Sequence, residues 1–219
     1  MPTQTFFNLP EAKRQAFIQA AIDEFADNDY ANASITRIVA RIGIAKGSVY
    51  QYFQDKQDLY LYLLDLAAQE KLALLRDARP PDPGMSIFAY LRWLLSTGAQ
   101  FQLAHPRLAQ VAYRALYGDM PFHDETLVRM KTAAYEYIGQ LVEQGLDRGD
   151  IAPDIDPELA VFVIHSLSME LGNFIFKQQG IDPTVLGQGN MHVFDTPEIL
   201  QIFDQLVHIL EHGLGHRRI

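Results

Sequence analysis

The sequence predicts an all-α protein of two parts, a short N-terminal bundle of three helices followed by a larger helical domain. Three observations carry this. Apolar residues recur at three- and four-residue spacing in one segment after another. No segment alternates apolar and polar residues as a half-buried strand would, and there is no internal repeat or low-complexity tract. The breaks between segments are proline, glycine and aspartate clusters that stop one helix and open the next.

The first helix is expected over 10–28, "PEAKRQAFIQAAIDEFADN", where Pro10 and Glu11 make a favourable first turn. Phe17, Ala21 and Phe25 share its apolar face, with Ile18 and Ile22 beside them. After "DYANA", Ser34 is a good N-cap for a short helix whose Ile35, Ile38, Val39 and Ile42 end at Gly43. The third helix, 45–52, is shorter still. The fourth starts near Asp55 and runs to about Arg76. "RPPDPG" at 79–84 is the clearest break in the chain. Beyond it helices are expected at roughly 85–104, 106–118, 124–147, 157–178 and 196–213. The signals are His105-Pro106, "DRGD", Asp156-Pro157-Glu158 and Thr196-Pro197-Glu198. Between the last two lies "GIDPTVLGQGNMHVFD", a glycine-rich loop that is long for a compact domain.

The chain has 219 residues, 48% of them hydrophobic, enough for one large or two small domains with a real core. It has no cysteine, which excludes disulfides and thiolate metal sites and fits a reducing compartment. The N-terminus shows no basic segment followed by an apolar run, and no apolar stretch reaches the ~18 residues of a membrane span. The expectation is a cytoplasmic protein with no membrane partner. The net charge of −9 argues at first against nucleic acid, but it is unevenly spread. Residues 1–60 hold six basic and seven acidic side chains, so the repulsive charge lies almost wholly beyond them. A local basic face is all that a DNA contact needs.

"IGIAKGSVYQYF", residues 42–53, has small and polar residues where a core helix would be apolar. Two short helices joined at Gly43, the second small and polar at its start, read as a helix-turn-helix. In that motif the second helix enters the major groove with its N-terminal residues toward the base edges. Gly47 then lets the backbone come close, Lys46 offers a cation, and Ser48, Tyr50 and Gln51 donate and accept at bases or phosphates. Val49 and Phe53 point back toward Ile38, Ile42 and Ile44, and Tyr52 and Lys56 sit where the helix end meets the DNA backbone.

Residues 14–60 resemble the DNA-binding domain of the TetR family of bacterial transcription regulators. The resemblance rests on "AAIDEFA", Tyr30 and "SITRIVARIGIAKGSVYQYFQDKQDLY", above all on "KGSVYQYF" followed by Lys56 and Leu59. It implies an all-α chain with a DNA-binding domain at 1–54 and an effector-binding and dimerisation domain at 55–219, with helix 55–76 as connector. It also implies contacts to double-stranded operator DNA at Thr36, Lys46, Gly47, Ser48, Tyr50, Tyr52 and Lys56, with Arg37, Ala45 and Gln51 as neighbours on the same surface. The family usually has glycine where this chain has Asp29, so Asn28 or Asp29 is expected to take the left-handed turn.

The resemblance further implies a homodimer paired through 157–178 and 196–213. The second of these carries Ile199, Leu200, Phe203, Leu206, Val207 and Leu210. It implies an effector pocket in the middle helices too. Candidates to line it are Trp93, Phe101, Tyr113, Tyr117, Tyr135, Tyr137, Phe162, His165, Met169 and Phe174. This lining suits a small hydrophobic or amphipathic effector. A strongly anionic one is disfavoured unless Arg92, Arg107, Arg114 or Arg129 turns inward.

"HILEH" at 208–212 matches the H-x-x-E-H pattern of a zinc peptidase class, and His208, Glu211, His212 and His216 share a helix face. No further ligand follows, and Val207 and Leu210 suit a packing helix, so neither metal nor cofactor is expected. No nucleophile elbow, P-loop or dinucleotide fingerprint is present. The sequence therefore reads as a ligand-responsive DNA-binding regulator, most often a repressor in that family, and not an enzyme. The alternatives are a helical-bundle enzyme and a DNA-binding protein without regulation.

Overall fold

The computed structural model describes residues 1–80, 82, 84–118, 121–182 and 196–215. Their regular structure is helical, apart from one isolated antiparallel bridge between Ile151 and Gly215. The helices are α1 (Gln4–Phe7), α2 (Glu11–Asp27), α3 (Ile35–Ile42), α4 (Lys46–Tyr52), α5 (Lys56–Ala78), α6 (Ile87–Ala104), α7 (Pro106–Tyr117), α8 (His123–Asp147), α9 (Pro157–Gln179) and α10 (Pro197–Leu214). The start signals read from the sequence act as written. Ser34 accepts from the Arg37 N–H, Asp156 from the Leu159 N–H and Thr196 from the Ile199 N–H. Pro106, Pro157 and Pro197 each open a helix.

One compact unit comprises Met1–Ala73 with Ala104–His123. Its core is aromatic. Phe17 stacks on Phe53 with ring centres 5.8 Å apart, and Phe6 meets Phe53 at 4.9 Å. Phe25 and Tyr60 meet at 4.9 Å, and the Tyr60 hydroxyl donates to the Val111 carbonyl at 3.3 Å, which ties α5 to α7. α1 is not anticipated from the sequence, being a single turn of "QTFF" with no periodicity to read. Its Phe6 is nevertheless fully buried, against Phe17, Phe53 and Tyr62.

The left-handed turn expected at Asn28 or Asp29 does not occur. Asn28 is extended, with φ −125° and ψ 146°, and the one described non-glycine residue with positive φ is Arg79. The turn closes instead through Asp29, whose carboxylate accepts the Asn32 N–H at 2.8 Å while its carbonyl accepts the Ala33 N–H at 2.9 Å.

The second unit comprises Leu74–Leu103 with residues 124–182 and 196–215. Its core gathers Ile87, Phe88 and Leu91 of α6, Ile138 and Val142 of α8, Ala160, Val161 and Ile164 of α9, and Val207 and Leu210 of α10. Asp150 accepts the Ile87 N–H at 2.9 Å, satisfying an orphan donor at the start of α6. The glycine-rich loop expected at 180–195 lies outside the described residues beyond Asp182.

Candidate nucleic-acid interface and effector-domain surfaces

The helix-turn-helix is built around a buried carboxylate. Glu24 of α2 is fully buried, and its Oε1 accepts the Ser34 N–H at 2.9 Å and the Arg37 Nε–H at 2.8 Å. Arg41 approaches the other oxygen at 3.6 Å. One acid thus fixes both the entry and the outer face of α3, its single charge shared between the two arginines. Gly43, at φ +68°, then supplies the left-handed residue that ends α3 and starts the turn. Val49 and Phe53 are buried beneath α4, as their spacing predicts, beside fully buried Ile38.

That packing leaves Thr36, Ala45, Lys46, Gly47, Tyr50 and Gln51 exposed, with Ser48 half-buried among them. Arg37 is also exposed on this side, but Glu24 and the Asn32 carbonyl hold its guanidinium. Lys46 has no partner among the described residues and is the free cation of the surface. A Cβ added to Gly47 would meet nothing within 4 Å, and its φ is not positive, so nothing in the fold requires glycine there. Tyr52 is half-buried against Phe6 and Phe17. The end of α4 is clamped by Thr3, whose N–H donates to the Tyr52 carbonyl at 2.8 Å and whose hydroxyl donates to the Gln51 carbonyl at 2.6 Å.

Lys56 is engaged elsewhere. Its ammonium donates to the carbonyls of Tyr30 at 2.7 Å, Ala33 at 3.1 Å and Ala31 at 3.3 Å, and sits 4.4 Å from the centre of the Tyr30 ring. All three hydrogens are used, so Lys56 holds the loop that delivers α3. α7 also grips α2. Arg107 reaches Asp27 at 2.6 Å, Asp23 at 3.2 Å and the Asp23 carbonyl at 3.0 Å. The Arg107 hydrogen bond, helped by nearby Arg41, holds the Asp27 carboxyl below its ordinary value. Glu24, Thr3 and Arg107 are missed by motif reading. The signal for Glu24 is an acid on the apolar side of α2, next to Phe25.

The ten effector candidates are dispersed. Phe101 is buried; Trp93 is half-buried, 5.2 Å from Tyr90. Tyr113 and Tyr117 lie 4.7 Å apart on α7, in the first unit. Tyr135 and His165 meet edge to face at 5.5 Å in the second, and Met169 is half-buried one turn beyond His165. Phe162 is 59% exposed on the outer side of α9. A cleft of about 230 Å³ in the second unit is lined by one of the ten, Tyr137, together with Tyr90, Gln144, Arg148 and Asp150 among others. There the Tyr90 and Tyr137 hydroxyls are 2.5 Å apart, and burial with that bond pushes the Tyr137 phenol up.

The faces of α9 and α10 differ from the expectation. Ile199, Phe203, Val207 and Leu210 are buried within their own unit. The apolar residues left outside are Leu159, Phe162, Leu167 and Phe174 on α9 and Ile209 on α10. α9 is also long and apolar enough to cross a membrane, with a mean hydropathy of 1.6 and 28% of that stretch buried. Reading for unbroken apolar runs missed it, because Glu170 interrupts the apolar run. The rings of His208 and His212 lie 3.9 Å apart, and His216 lies outside the described residues. Among the described residues no three His, Cys, Asp or Glu gather around a common metal position.

Comparison with known proteins adds independent findings. Residues 17–63 match the family model described as "Bacterial regulatory proteins, tetR family", and residues 85–215 match "Tetracyclin repressor-like, C-terminal domain". The chain is similar to a solved TetR family transcriptional regulator from Chloroflexus aurantiacus, 47% identical, with a TM-score of 0.77 over 99% of this chain and 100% of that one. It is 24% identical to the transcriptional regulator RutR of Escherichia coli over 164 residues, covering 74% of this chain and 75% of RutR. Bacillus subtilis FadR, solved in complex with stearoyl-CoA, shares the fold at 18% identity and a TM-score of 0.63, over 86% of this chain and 96% of that one.

Proposed function

The chain belongs to the TetR family of bacterial transcription regulators, and from that premise we propose that it is a cytoplasmic homodimeric repressor, released from its operator by a small apolar or amphipathic effector. The observation that carries the DNA contact is the surface of α4. Its first turn is exposed, small and polar, it holds an uncommitted lysine, and its glycine serves no purpose in the fold. Gly47 suits close approach of the helix to the groove floor, Lys46 a phosphate or guanine, and Tyr50 and Gln51 base edges or phosphates. Ser48 and Thr36 extend the contact on either side, and Ala45 keeps the helix start narrow.

Two such helices must sit about 34–36 Å apart to enter successive major grooves. The outward apolar residues of α9 support pairing with a second copy of the chain. An effector that binds the wrongly spaced state more tightly lowers operator affinity by its differential binding free energy. A tenfold release needs only about 1.4 kcal/mol.

The operator can be obtained by selection from a random duplex library with the full-length protein. Lys46→Ala and Tyr50→Ala should each weaken binding to the selected site about tenfold in a gel shift at fixed salt. Their unfolding midpoints should be unchanged. Parent-like binding by both variants would overturn the assignment of α4 as the reading helix.

A further inference from the structure

The seven residues of α4 end without a cap of their own. A helix this short has little stability by itself, and its last carbonyls lack partners within it. α3 and α9 each close on a left-handed glycine, Gly43 and Gly180. α4 is followed instead by Phe53 in extended conformation, with φ −131° and ψ 144°. Its last turn is closed from a distant part of the chain. The Thr3 N–H donates to the Tyr52 carbonyl at 2.8 Å, and the Thr3 hydroxyl donates to the Gln51 carbonyl at 2.6 Å, from 48 residues away.

Thr3 breaks a local rule to do this. It stands at the N-cap of α1, where a threonine side chain ordinarily accepts an N–H of its own helix. That bond is not made, and the hydroxyl goes to α4. The turn that follows holds Thr3 in place. Phe6 is fully buried, its ring 4.9 Å from Phe53, 6.0 Å from Tyr52 and 5.6 Å from Tyr62, and its N–H donates to the Thr3 carbonyl at 3.0 Å. Phe6 supplies the burial and Thr3 the direction. Tyr50 and Gln51, both exposed, lie in the turn that Thr3 holds.

We infer that Thr3 is a positioning residue for DNA reading: it fixes the last turn of α4 so that Tyr50 and Gln51 meet the base edges of the operator. This rests on the proposed role of α4 and deepens it. Hydrogen bonds to base edges demand distance and angle together, whereas the phosphate attraction that dominates non-specific binding tolerates a small shift. Loss of the Thr3 hydroxyl therefore acts on operator affinity and spares non-specific affinity.

The test uses the full-length protein in gel shifts at fixed salt, with the selected operator and a random duplex. Thr3→Val removes the hydroxyl at nearly constant shape, and Thr3→Ser keeps it. Thr3→Val should bind the operator about fivefold more weakly and the random duplex like the parent. Thr3→Ser should bind both like the parent. In the Tyr50→Ala background, Thr3→Val should cost no more than about twofold, because the larger side chain it positions is gone. A role in stability alone predicts equal losses on both duplexes and additivity with Tyr50→Ala, and either result overturns the positioning role. Parent-like operator binding by Thr3→Val, while Lys46→Ala and Tyr50→Ala lose affinity, overturns it too and leaves α4 as the reading helix. If Lys46→Ala and Tyr50→Ala themselves bind like the parent, the reading of α4 falls and the positioning role with it.

Discussion

The first turn of α4 and the outer side of α9 are both exposed, and they are made of opposite materials. On α4 the exposed residues are Ala45, Lys46, Gly47, Tyr50 and Gln51, none of them purely apolar and large. On α9 they include Leu159, Phe162, Leu167 and Phe174, with Phe162 59% and Phe174 54% exposed. A surface that meets DNA must give up water easily, approach closely and offer hydrogen bonds. A surface that meets a copy of itself gains by burying large side chains. Exposure alone therefore distinguishes nothing, whereas exposure together with residue size separates a groove-reading surface from a self-associating one.

Breaking the α9 surface should have the largest effect. Phe162→Glu with Phe174→Glu places two charges on it without touching the core, and sedimentation should then report a monomer. Operator affinity should drop by about a hundredfold or more, because the two half-site contacts no longer act together. A double variant that still sediments as a dimer would move the interface elsewhere. The same change at Phe203 would be uninformative, since Phe203 is 3% exposed within its own subunit and glutamate there would unfold it.

Next in size is Glu24→Gln. It strips the charge from two arginine contacts and leaves buried groups poorly satisfied around Ser34. Because Arg37 and Arg41 are partly exposed, a loss of about 2 kcal/mol in urea unfolding is expected. A stability equal to the parent's would show that the α3 entry is held by packing alone.

The smallest expected effect is that of Arg107. Arg107 lowers the folded-state pKa of Asp27, so the pair stabilises the fold above the ordinary aspartate pKa of about 3.9 and loses that contribution as pH falls below it. Asp27 is 40% exposed, so the gain should stay below about 1 kcal/mol. Arg107→Ala should therefore lower stability slightly at pH 7 and flatten the fall in stability below about pH 4. An acid limb identical to the parent's would remove Arg107 from the link between α7 and α2.

What could be read in advance was local. Ser34, Gly43, Pro106, Asp156 and Thr196 act through backbone a few residues away, and each caps or opens its helix where the spacing placed it. The exposed face of α4 follows from Val49 and Phe53 turning inward on the same short helix. What could not be read depends on residues far apart in the chain. Lys56 and Arg37 look like free cations until Tyr30 and Glu24 are brought to them. Phe203 and Phe162 are equivalent large apolar residues in sequence, and only packing decides that one is core and the other surface. Thr3 and Phe6 carry no periodicity, yet they hold the end of α4.

The central claim is that the start of α4 is shaped for DNA and not for the fold, and Gly47→Ala tests it most directly. Operator affinity and unfolding free energy should be measured on the same preparation. Alanine has room in the free protein, and a helix gains about 0.5–1 kcal/mol when it replaces glycine. The account predicts equal or higher stability with operator binding weakened at least about tenfold, about 1.4 kcal/mol. Unchanged affinity, or a loss of affinity matched by a loss of stability, would contradict it.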